Sequence, residues 1–329
     1  MSLRALAVET GVTAMALSKY ERGVIRPSEK VLDALTKALN VSASHFTDDA
    51  PLEVTRVEYR ASSRMTPVSK RLVHDAVRAH LRVRLDIEAI VPAVRPPPFR
   101  LPRLPERVAH YDAIDDVAQR VRDAWSLGNR PIPNLTNLIE AHGVRVVPTQ
   151  IRDGWFDGLA CRVDAHPVVV VGSDWPGDRQ RFTLAHELGH LVLDGKLTPA
   201  LDAERACHRF AGAFLAPSSA VAALHVGPAV APMELVLLKH EWGLSMAAWL
   251  YRLRDVGRID DATFRALWRT FRAKGWNETE PGPALPRESA TVWQQRVASL
   301  VVNGRISAAM GAAAMGVEEE MVERLLGMG

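Results

Sequence analysis

The stretch Arg181–Gly195, RFTLAHELGHLVLDG, decides the reading of this chain. Its apolar positions Phe182, Ala185, Leu188, Val192 and Leu193 recur at helical spacing, which predicts a helix with one buried face. Within it, residues 186–190 form an HExxH motif. Histidines at i and i+4 lie one turn apart on the same helix face, where two imidazoles can grip one metal ion. Glu187 then stands beside the open coordination position and can take a proton from water there. Gly189 has no side chain and leaves room for another backbone to pack against this helix.

Two histidines do not complete a catalytic zinc site, which normally takes three protein ligands. Glu204 is the best third candidate. It stands 14 residues past His190 on a second predicted helix, DAERACHRFAGAFLAP, and an antiparallel helix pair joined by the DGKLTP turn brings its carboxylate to the metal. His208, one turn later on the same face, could bind the metal itself, orient Glu204 or face the substrate. His208, Arg205, Arg209 and Tyr251 are the candidate partners for the oxyanion of a hydrolytic transition state, and the sequence does not choose among them. Cys207 reads as a small core residue. WFDGLACRV or VVVVG offers a strand edge for an extended peptide, unless the strand is an interior one.

Together, RFTLAHELGHLVL and ERACHRFAGAFLAP resemble the ImmA/IrrE family of metallopeptidases, whose second helix commonly reads ExxANxFAxxxLMP. Glu204, Phe210, Ala211, Leu215 and Pro217 match that pattern, while Cys207, His208 and Ala216 replace its alanine, asparagine and methionine. The resemblance implies that His186, His190 and Glu204 bind zinc, with manganese as the alternative metal, and that Glu187 is the general base. It also implies a repressor or related regulatory protein as substrate. The alternative reading is a DNA-binding regulator or antitoxin-like protein whose peptidase-like domain senses a ligand without cutting.

Upstream, residues 2–46 predict three short helices, about Ser2–Thr10, Thr13–Arg22 and Ser28–Leu39, with breaks at Gly11 and Gly23 and a cap at Ser28. This segment resembles the Cro/C1-type (XRE) helix-turn-helix family, most specifically in SKYERG and RPSEKVLDALTKALNV. The resemblance places Thr13, Ala14, Met15, Ser18 and Lys19 nearest DNA. Ala14, Met15 and Ala16 are poor readers of base edges, so dimerisation or partner docking is the other expected use of this module.

Positive charge lies beyond that segment. Residues 1–55 hold six Lys/Arg against seven Asp/Glu, and residues 56–110 hold twelve against five. A basic helix, about Pro67–Ile90, leads into VRPPPFRLPRLP, too proline-rich for a helix or central strand. Helices follow at about Tyr111–Trp125 and Leu135–His142. Strands at Val144–Val147, Trp155–Val163 and Val168–Val171 predict a small antiparallel sheet ahead of the HExxH helix. Further helices are expected at about Asp202–Leu215, Met233–Trp242, Ser245–Val256 and Asp261–Arg272. The polar stretch NETEPGPALPRES then precedes a helical tail, whose Glu318, Glu319 and Glu320 would repel phosphate and suit a packing role.

The expected fold class is therefore α+β and mostly helical: a zincin-like peptidase domain with a small antiparallel sheet, preceded by a helix-turn-helix domain. The expected segments are 1–50 (helix-turn-helix), 51–109 (basic helix and linker), 110–276 (peptidase) and 277–329 (helical tail). No apolar run nears the roughly 18 residues that span a bilayer, and two cysteines form no disulfide framework, so a cytoplasmic location without a membrane partner is expected. Expected partners are a repressor-type substrate and DNA, with a homodimer left open.

Overall fold

A computed structural model describes residues 2–22, 24–39, 54–55, 67–150, 156–164, 166–225 and 230–325. Gly23, Trp155 and most of the basic run before Pro67 lie outside these residues. The chain divides into two compact units, each assembled from more than one stretch: Met1–Glu53, Arg78–Arg95 and Thr291–Gly329 form the first, and Val54–Val77 with Pro96–Ala290 the second.

In the first unit, α1 (Leu3–Thr10), α2 (Ala14–Glu21) and α3 (Glu29–Leu39) follow the local signals in the sequence. Ser2 caps α1 by accepting from the Ala5 N–H, and Thr13 caps α2 by accepting from the Ala16 N–H. Gly11 ends α1 at φ 69°, the left-handed conformation that lets the chain turn at once into α2. Leu17 and Leu35 are the buried apolar residues of α2 and α3. The same unit holds the later part of α4 (Pro67–Ile90) and the three C-terminal helices, Thr291–Val302, Ala308–Met315 and Glu319–Leu325. There the buried Arg84 pairs with Glu88 at 3.2 Å, and its guanidinium lies 4.3 Å over the Trp293 ring.

The second unit is built around a sheet of β1 (Val54–Thr55), β2 (Arg145–Thr149), β3 (Gly158–Val163) and β4 (His166–Gly172), in the order β1-β3-β4-β2. The expected antiparallel sheet is corrected to a mixed one: β3 and β4 form an antiparallel hairpin, but β2 runs parallel to β4. The three strands alternate in direction along the chain. An antiparallel meander would keep β2 beside β3; here β4 lies between them, and two strands of the same direction become neighbours. VVVVG is therefore interior, which explains its unbroken apolar character.

The helices α6 (Leu135–Ala141) and α7 (Gly177–Leu193) pack on the sheet, α8 (Ala203–Leu215) packs on α7, and α5 (Asp112–Ala124) packs on α8. Beyond them come α9 (Ser218–Ala223), α10 (Pro232–Trp242), α11 (Met246–Asp255) and α12 (Asp261–Ala273). The HExxH helix α7 is buried along almost its whole length, which fits its weak apolar and polar segregation.

The polar stretch after α12 is fastened to this unit by two carboxylates. Glu280 pairs with Lys239 at 2.9 Å and accepts from the N–H groups of Met246 and Ala247 at the start of α11. Glu288 pairs with Arg181 and accepts from the N–H groups of Leu135 and Thr136 at the start of α6. Acids at helix N-termini satisfy donors that have no partner within the helix.

Candidate metal centre

The turn between α7 and α8 is set by a short parallel bridge: the Val108 N–H donates to the Lys196 carbonyl at 2.8 Å, and the Thr198 N–H donates to the Val108 carbonyl at 3.1 Å. Asp202 then caps α8, accepting from the Arg205 N–H. The two helices approach closely at Gly189, where an added Cβ would lie 3.1 Å from Phe210 Cδ1 and 3.3 Å from Cys207 Cα. The backbone that the glycine admits is thus α8, the helix carrying Glu204.

This packing brings three side chains together. His186 Nε2 lies 3.2 Å from His190 Nε2 and 3.2 Å from Glu204 Oε2, and His190 Nε2 lies 3.5 Å from Glu204 Oε1. Tetrahedral zinc ligands, each about 2.0–2.1 Å from the ion, stand ~3.3 Å from one another. The three separations match that edge. Glu204 Oε1 is buried and makes no hydrogen bond, as expected of a carboxylate oxygen reserved for a cation. Burial keeps His186 below the usual imidazole pKa, favouring the neutral form whose lone pair a metal needs. The hydrogen bond with His186, aided by the nearby histidines, holds Glu204 below the usual carboxylate range despite its partial burial. The donor set fits a divalent ion of the zinc type.

Glu187 points to a different neighbourhood. Burial, reinforced by the Glu204 and Asp157 carboxylates, pushes its pKa up to about 8, while a hydrogen bond with the backbone of Ala160 on β3 works the other way. A divalent cation beside it acts in the same lowering direction. Strand and helix can meet here because residue 158 is glycine: a Cβ on Gly158 would lie 2.5 Å from Thr183 Cγ2 and 3.4 Å from Glu187 Cγ. Sequence reasoning missed Asp157 and the Ala160 backbone, since neither carries a signal until the register of β3 against α7 is known.

His208 projects from α8 with its ring 4.4 Å from that of His186, centroid to centroid. The other oxyanion candidates are engaged elsewhere. Arg209 is bound to Asp112, Asp115 and Asp255. Arg205 stacks over the Tyr111 ring at 4.3 Å, and Tyr251 packs edge-on against Phe264 and Trp268. These partners come from α5, α11 or α12, or from just before α5, and for Tyr251 they hold the ring rather than the hydroxyl. Of the residues proposed to face DNA, Thr13, Met15 and Lys19 are exposed on or beside α2, and Ala14 and Ser18 are half-buried.

Beside His190 opens a cavity of about 360 Å³, walled by Ala160 and Cys161 of β3, Leu193, and Leu197 and Leu201 of the α7–α8 turn. Among the described residues, β1 pairs with β3 at Arg162 and Val163.

Residues 139–254, which include both helices of the cluster, match the family profile described as the IrrE N-terminal-like domain. Residues 1–46 match the helix-turn-helix profile. The radiation response metalloprotease IrrE of Deinococcus radiodurans is 30% identical over 142 residues, covering 37% of this chain and 42% of that protein. The chain thus spans less than half the length of that relative. Within the matched segment, α7 carries His186, Glu187 and His190, and α8 carries Glu204.

Proposed function

We propose that this chain is a zinc-dependent endopeptidase acting in transcriptional regulation, with a repressor-type protein as its substrate and manganese as the alternative metal. The observation that carries the reading is the near-tetrahedral spacing of His186, His190 and Glu204 next to a buried, basic Glu187. When bound, the ion supplies Lewis acidity, polarising the scissile carbonyl and acidifying water.

The chain's own residues do the rest. Glu187 takes a proton from the attacking water and returns it to the leaving amine. The cavity beside His190, between β3 and the α7–α8 turn, receives a substrate side chain. The helix-turn-helix segment would bring the peptidase to regulatory DNA or to a DNA-bound protein.

The test is incubation of the zinc-loaded chain with a repressor encoded beside it, in parallel with Glu187→Gln. Cleavage by the first and not by the second supports the reading. Equal effects of the two on repression in cells, without any cut product, would favour the ligand-sensing alternative.

A further inference from the structure

We infer that His208 is a fourth protein ligand of this centre, binding through Nε2 beside His186, His190 and Glu204. The inference rests on the metal-centre reading above and deepens it. His208 Nδ1 lies 2.7 Å from the backbone carbonyl of Glu204. A carbonyl oxygen only accepts, so the ring proton sits on Nδ1 and the lone pair on Nε2. Metal-bound histidines are typically oriented in this way, with the far nitrogen donating to a carbonyl or carboxylate.

The surroundings point the ring at the centre. His208 stands one helical turn after Glu204, with its ring tilted 61° against that of His186 and 36° against that of Phe182. One ligating atom each from His186, Glu204 and His208 lie within 4.8 Å of one another. That limit is wider than the ~3.3 Å edge of a tetrahedral site. The imidazole is exposed, and a rotation about its side-chain torsions closes the difference.

The chemistry differs from that of a three-ligand site. A fourth protein donor completes a tetrahedron, and structural zinc sites are closed in this manner whereas catalytic ones keep an open place. Because His208 is at the surface and the other three ligands are in or near the core, it is the ligand that can leave. With His208 bound, the four residues would hold the ion as a closed site, and His208, at the surface, is the one whose release would leave a place for substrate. The asparagine usual at this position in the ImmA/IrrE pattern is a weaker donor and would leave the site open.

The experiment compares the full-length chain with His208→Asn and His186→Ala, using zinc affinity by competition with a chromogenic chelator and the visible spectrum of the cobalt-substituted protein. His208→Asn is expected to weaken zinc binding at least 10-fold and to shift the cobalt bands, with an unchanged far-ultraviolet circular dichroism spectrum. Unchanged affinity and unchanged bands in His208→Asn, with binding lost in His186→Ala, would overturn the fourth-ligand inference and leave the metal centre intact. Failure of the unmodified chain to bind zinc or cobalt, or full binding by His186→Ala, would overturn both.

Discussion

Replacing Asp115 by asparagine strands a buried guanidinium and should cost the second unit about 3 kcal/mol. Asp115 accepts from Arg209 Nε at 2.6 Å, from Ser218 Oγ at 2.7 Å and from a terminal nitrogen of Arg252 at 2.7 Å. Arg209 loses little, because it keeps Asp112 at 3.0 Å and Asp255 at 3.7 Å. Arg252 has a side chain only 1% exposed, and its other bonds go to neutral oxygens of Ala216 and Ser218. An amide at residue 115 has one oxygen where the carboxylate had two, so its NH2 group faces one of the two guanidinium donors. Removing one partner of a buried pair costs roughly 3–5 kcal/mol, and nearby Asp255 places this case at the lower end. That is a large part of the ~5–15 kcal/mol by which a domain is stable. Urea unfolding at neutral pH, followed by tryptophan fluorescence, measures the loss. Adding Arg252→Met removes the stranded charge, so the double variant should be more stable than the sum of the singles by about 1–3 kcal/mol. A loss under about 1 kcal/mol in Asp115→Asn, or strict additivity in the pair, would refute this account. The pH dependence has a definite sign. Despite the burial that raises it, Asp115 is held below the usual carboxylate pKa by Arg252, Ser218 and Arg209. Its contribution is present above the unfolded value of about 3.9 and disappears as pH falls through the lower folded value. Asp255 is raised by burial in spite of its arginine neighbours and has the opposite sign, so the gap between the original chain and Asp115→Asn isolates the first effect.

Glu187→Gln should retain zinc and lower peptidase turnover about 10²–10⁴-fold, and activity within a factor of a few of the original would exclude Glu187 as the base. Zinc at a hundredfold excess over its Kd should stabilise the chain by about 2.7 kcal/mol, or roughly 5–10 °C in Tm, and chelation should reverse this. An equal rise in His186→Ala would place the binding elsewhere. Gly158→Ala drives a methyl into Thr183 Cγ2 and should cost about 1–3 kcal/mol while loosening Glu187; calorimetry showing no loss would mean that β3 and α7 are not in the contact described. For the helix-turn-helix segment, Lys19→Glu should weaken duplex DNA binding and make its salt dependence shallower by about one unit of slope, as read by fluorescence anisotropy; no change would remove α2 from the interface.

The centre was legible because its signals are local. HExxH fixes two imidazoles by the period of a single helix, and Glu204 follows from the short turn that folds α8 back along α7, with Gly189 marking where the backbones meet. The helix starts at about Ser2, Thr13, Asp202 and Ser245 were legible for the same reason, and each of these residues caps its helix. What escaped the sequence is non-local. The parallel pairing of β2 with β4 depends on which side of the hairpin β2 joins, and no residue in Arg145–Thr149 records that choice. Arg209 and Tyr251 looked free because their partners lie at distant positions, Asp115 being 94 residues from Arg209. Glu280 and Glu288 sit in a stretch whose prolines and glycines read as a spacer, yet they satisfy the N-termini of α11 and α6. Ion pairs also anchor the two helices near the candidate ligands: Asp115 holds Arg209, which follows His208 directly on α8, while Glu288 holds Arg181, at the start of the run that carries the histidines. The motif names the candidate ligands, but the helices that hold them 3.2 and 3.5 Å apart also carry ion pairs that lie outside it. Disturbing those pairs should therefore weaken metal binding without touching a ligand, an effect that a reading of the motif alone would not anticipate.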